Sequence, residues 1–90
     1  MRIDAADIGM HNAAQVAAAG IEAIRAGDAV FDLSGVRSCD SSAVAAALAW
    51  QREADARGLL LELHNVPAGI LSLATVYGVA PLLNLGEADV

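Results

Sequence analysis

The chain reads as a small α/β domain in which a short, mostly parallel sheet carries helices. Three observations predict that class. Short apolar runs of strand character, at 29–33 and 59–64, alternate with longer helical stretches. Glycines close those helical stretches, and a proline opens the last of them. Hydrophobic residues make up 57% of the chain and aromatics only 3%, so the core is built from Ala, Val, Leu and Ile, small enough for helices to lie close on a sheet.

The elements follow in order. Met1 to Ala5 hold one short strand. Asn12 is placed to cap a helix running to about Ala26, with Val16, Ile21 and Ile24 among its apolar positions, and Gly27-Asp28 closes it. Ala29 to Leu33 is a buried strand, with Val30, Phe31 and Leu33 in a short apolar run. A second helix runs from about Ser42 to Arg57 and stops at Gly58. Leu59 to His64 is the next strand, and Pro67 starts a third helix carrying Ile70, Leu71, Leu73, Ala74 and Val76, which Gly78 ends. Pro81 bars continuation, and Leu82-Leu83-Asn84-Leu85 is a short apolar tail suited to an edge strand. Strand, helix, strand with short turns implies a parallel pair joined by a right-handed crossover. Both strands then end on one edge of the sheet, where open α/β sheets place their sites. That edge gathers Ser38, Cys39, Asp40, Ser41, His64 and Asn65.

Ninety residues form one domain, 1–90, that buries roughly 60–65% of its unfolded surface. Its stability is expected to be modest and to gain from a partner. The net charge is −6 and all five basic residues are arginine, which disfavours nucleic acid and a direct grip on anionic lipid. Cys39 is alone, so no intramolecular disulfide forms. No uninterrupted apolar run reaches the roughly 20 residues of a membrane helix, and Met1-Arg2-Ile3-Asp4 lacks a signal layout. The expectation is a cytoplasmic chain with no direct membrane insertion.

The chemistry concentrates at Cys39-Asp40-Ser41-Ser42, where a glycine turn delivers an acid and two hydroxyls to the start of the second helix. A helix N-terminus offers free N–H groups and partial positive charge. Asp40 or Ser41 can therefore act as a cap, and Ser41 can equally carry a regulatory phosphate, adding about −1.5 to −2 charges beside Asp40. Ala43 through Trp50 contains no polar side chain. Val44, Ala47 and Leu48 can face the sheet, leaving Ala43, Ala46 and Trp50 on another side of the cylinder. Either those alanines are harmless helix formers and Trp50 tucks against a neighbour, or the stripe is a docking face with Trp50 as anchor. In the second case Asp40, Ser41, Ser42, Ala43, Ala46 and Trp50 bind a partner.

Enzymatic constellations are weak. Cys39 and His64 have no third residue to orient the imidazole, and His11 and His64 are too few for a metal site. GxxxxGK[ST] and GxGxxG are both absent. No catalysis and no cofactor are expected, and small-nucleotide binding at the strand-end edge is the weakest alternative.

Val30-Phe31-Asp32-Leu33-Ser34-Gly35-Val36, then Cys39-Asp40-Ser41-Ser42, then a helix, Gly58, an apolar strand and a Pro67-started helix together resemble a STAS domain. The resemblance implies a STAS-like α/β fold lacking the usual first strand. It also implies either a homodimer through the N-terminal sheet edge or a start upstream of Met1. Two branches of the family are relevant. In length and in Leu73-Ala74-Thr75-Val76-Tyr77-Gly78-Val79 followed by Pro81, the chain is similar to the small STAS subunit of the Mla phospholipid-transport ABC complex. That likeness implies docking on the cytoplasmic ATPase subunit through the Ser41 helix, and a peripheral place at the inner membrane. The chain also resembles anti-anti-sigma factors, which implies phosphorylation of Ser41 by an anti-sigma factor kinase, although Ala43 stands where that branch usually has glycine.

Overall fold

The computed structural model describes residues 1–76 and 78, and the expected strand at Leu82–Leu85, with Tyr77, Val79 and Pro81, lies outside them. In chain order the elements are β1 (Asp7–Ile8), α1 (Ala13–Arg25), β2 (Val30–Asp32), β3 (Ser38–Cys39), α2 (Ser41–Ala56), β4 (Glu62–His64) and α3 (Ala68–Val76). β1 pairs with β3 and β2 pairs with β4, both in parallel. A further parallel bridge joins Arg2 to Asp32. The N-terminal segment thus runs alongside β2 and then β3, with Ser34-Gly35 turning between them.

Local chemistry sets the element ends. Asn12 precedes α1 without capping it: its Oδ1 accepts from the Gly9 N–H at 2.9 Å and its Nδ2 donates to the Asp7 carbonyl at 2.8 Å, which ties the β1–α1 turn to itself. α1 stops where Gly27 takes φ +96°, and α2 is followed by Gly58 at φ +69°, left-handed conformations that a Cβ disfavours. The first helix, the second helix and the Pro67 start all stand within a residue of their expected places.

Three expectations need correction. The N-terminal strand is interrupted: one bridge at Arg2, then β1 at Asp7–Ile8. β3 was not foreseen, because two residues of strand are too short for a period-2 pattern. And the strands are buried on one face only. Ala29, Phe31, Leu33, Leu61 and Leu63 point into the core, whereas Val30 and Leu60 are exposed. A continuous apolar run suggests burial on both faces, but here alternate residues of the run reach solvent.

The core joins those inward strand residues to Ile24 of α1, Trp50 of α2 and Ile70 of α3. Phe31 and Trp50 meet edge to face, with centroids 5.0 Å apart and planes at 89°, the arrangement favoured by aromatic quadrupoles.

Candidate functional site at the start of the second helix

β3 leads directly into the N-terminus of α2. Asp40 has extended backbone and is the N-cap: its Oδ1 accepts from the Ser42 N–H at 2.8 Å and also from the Ser42 hydroxyl. The Ser42 hydroxyl, its N–H and the Met10 N–H hold the Asp40 carboxyl below the usual carboxylate range. Of the two candidate caps, then, Asp40 caps and Ser41 does not. Ser41 is the first helical residue, it is exposed, and its hydroxyl makes no hydrogen bond among the described residues.

The docking stripe expected from Ala43, Ala46 and Trp50 is not on the surface. These residues are 2%, 3% and 1% exposed. The reason lies on α1. A Cβ built on Gly20 would stand 2.1 Å from the Trp50 Nε1, so the missing side chain is what lets the indole lie against the helix. Trp50 Nε1 donates to the Ala17 carbonyl at 3.0 Å, an interhelical bond that satisfies its single donor. α2 therefore packs on two sides, and Trp50 anchors the fold rather than a partner. Gly20 was the overlooked residue. Its signal was a glycine inside an alanine-rich helix, the sequence mark of close approach.

What remains open on α2 is a third stripe beginning at Ser41 and continuing through exposed Ala45 and half-buried Ala49 to exposed Arg52. A shallow apolar groove between α1 and α2 is lined by Ala13, Ala14, Ala17, Ser42, Ala45, Ala46 and Ala49. In a separate hollow the β1–α1 turn lies against Asp40. Met10 on that turn is 89% exposed, a large apolar side chain in water. Of the expected partner-binding set, Asp40, Ser41 and Ser42 are accessible and consecutive, Ala46 is buried but lines the groove beside Ser42, and Ala43 and Trp50 are buried away from it.

The strand-end edge is polar and self-satisfied. Asp32 accepts from Asn65 Nδ2 at 3.0 Å and from the Ser34 N–H at 2.9 Å, which together with the Ser34 hydroxyl lower its carboxyl pKa. His64 Nε2 lies 3.1 Å from Glu62 Oε1. Cys39 is half-buried, and the nearest atom to a Cβ built on Gly69 is its Sγ. Burial, with the Asp40 charge, pushes its thiol up, the opposite of what a nucleophile needs. Among the described residues no cluster of three metal-ligating side chains occurs, and no helix is long and apolar enough to cross a membrane.

The comparisons agree with this frame. The family model described as "Mlab, STAS domain" matches residues 5–84. Neither a curated protein nor a solved structure matches the chain. With three helices on short parallel strands and a match across most of its length, the chain belongs to the MlaB-like STAS domain family.

Proposed function

We propose that this STAS domain is a non-catalytic regulatory subunit that docks on the ATPase of an ABC-type phospholipid-transport system through the Ser41 end of α2. STAS domains are in general small interaction or regulatory modules. The observation that carries the finer reading is an exposed Ser41 next to Asp40, whose carboxyl meets the N–H of an exposed Met10 and whose capped Ser42 lines the alanine groove. A methionine in water is adaptable contact surface, and an uncharged hydroxyl at a helix start can be covered without burying a charge. On this reading Asp40, Ser41 and Ser42 form the polar end of the contact, while Met10, Ala45 and Ala49 take the apolar role first expected of Trp50. The domain itself contacts no lipid. It sits in the cytoplasm and reaches the inner membrane through its partner.

A second reading is favoured by the same exposed hydroxyl. Phosphorylation of Ser41 by an anti-sigma factor kinase would put two negative charges at a helix N-terminus, where they are tolerated, and would block the apolar contact. The test is to co-express the chain with the ATPase and, separately, to incubate it with a cognate kinase and ATP. Stable co-purification with the ATPase, with altered ATP hydrolysis, supports the transport reading. Stoichiometric phosphate on Ser41 without ATPase association supports the sigma-factor reading.

A further inference from the structure

Arginines meet in one hollow of this acidic chain. Arg25 and Arg57 both pair with Glu53. Arg2 and Arg37 are exposed and line a space of about 420 Å³ walled by the N-terminal segment on one side and the β2–β3 turn on the other. The fold holds those walls together: the Ile3 N–H donates to the Asp32 carbonyl at 2.9 Å and the Arg37 N–H to the Ala6 carbonyl at 2.6 Å. The hollow thus lies between two stretches that already bond to each other. Gly35 shapes it. A Cβ built there would stand 2.9 Å from a terminal nitrogen of Arg2, so the bare backbone is what lets the guanidinium lie across the turn. Neither Arg2 nor Arg37 forms an ion pair among the described residues. Asp32, whose carboxyl feels the Arg2 charge, accepts instead from Ser34 and Asn65. Asp4 also lines the space, which sets its one negative charge against two positive. Like charges around one hollow repel, and an anion between them relieves that repulsion.

We propose that this hollow is an oxyanion site, taking the phosphate group of a small soluble molecule between Arg2 and Arg37. A guanidinium presents its N–H donors in a fork that matches phosphate oxygens. The Gly35 N–H, which has no acceptor among the described residues, belongs to the same wall. The space is larger than a phosphate ion and falls within the roughly 300–1,000 Å³ of small-ligand pockets, so the ligand carries more than its phosphate. A net charge of −6 repels an anionic membrane, which favours a soluble phosphate over a lipid headgroup. Asp4 opposes the anion and restrains the affinity. The site is independent of docking through Ser41.

The test is a titration of the full chain with sodium phosphate at constant ionic strength, followed by backbone amide and arginine Nε–H NMR signals. The wild type is expected to show saturable shifts at Gly35 and Arg37 and at both arginine side chains. Arg2→Gln and Arg37→Gln should each weaken binding about tenfold or more, and Asp4→Asn should tighten it. Gly35→Ala keeps every charge but displaces the Arg2 guanidinium, so it should weaken binding too, and the dispersion of the same spectra shows that each variant is folded. Shifts that stay linear and spread over the whole chain overturn the proposal. A folded Gly35→Ala that binds like the wild type does so as well, because net charge alone then accounts for the effect. Co-sedimentation with phosphatidylglycerol vesicles, without saturable phosphate shifts, overturns it in favour of a lipid headgroup.

Discussion

Trp50 and Gly20 form one device from two helices: an indole with its donor on Ala17 and its face where a side chain would otherwise stand. Trp50→Ala removes a buried ring in contact with Phe31 and is expected to cost about 3–5 kcal/mol, a large part of a small domain's stability, as read by chemical denaturation. Gly20→Ala keeps every atom of Trp50 but forces the ring aside, and overpacking of this kind costs about 1–3 kcal/mol. If Gly20→Ala melts like the wild type, the close approach is not real. Neither consequence was legible beforehand. The spacing of Ala43, Ala46 and Trp50 correctly marks a second apolar side of the helix, but periodicity reports that a face is apolar, not which neighbour covers it. The cap was legible to within one residue, as Asp40 or Ser41 before an apolar helix, and the fold assigns it to Asp40.

At the scale of elements, α2 has an end that is solvent-facing and a body that is core. Ser41→Asp adds charge at the first helical position, where the helix dipole is favourable, so the melting temperature should hold or rise slightly while ATPase docking is lost. Met10→Glu should behave similarly, for an 89% exposed side chain contributes little to folding. Loss of helicity in either variant would show that the stripe serves the fold instead. The three helices were readable from Gly27, Gly58 and Pro67, residues whose backbone chemistry acts locally. β1 and β3 were not, because two-residue strands are created by pairing across thirty residues of sequence rather than by their own pattern.

For the molecule as a whole, several carboxylates are held ionised by contacts that exist only in the fold. Asp28 is lowered by the N-terminal ammonium and the Val30 N–H, Asp32 by Asn65 and Ser34, Asp40 by Ser42, and Glu53 by Arg57 and Arg25. A depressed folded-state pKa stabilises above the unfolded value near 4 and is lost as pH falls through the lower folded value. Melting temperature should therefore be flat at neutral pH and fall below about pH 4, and Asp32→Asn should make that fall shallower. A melting temperature that rises on acidification would contradict these contacts.

The family and its α/β frame could be recognised from the strand-turn-helix run at 30–42, since those residues specify geometry locally. The proposed contact surface could not, because the β1–α1 turn comes against Asp40 only in the fold. The most direct test is the affinity of the purified ATPase for the wild-type chain, Ser41→Asp and Met10→Glu, measured beside their melting curves. The account predicts that wild type binds and that both variants lose about tenfold or more in affinity, as expected for a contact worth over 1.4 kcal/mol, with melting unchanged. Equal affinity for all three chains, or no binding by the wild type, would contradict it.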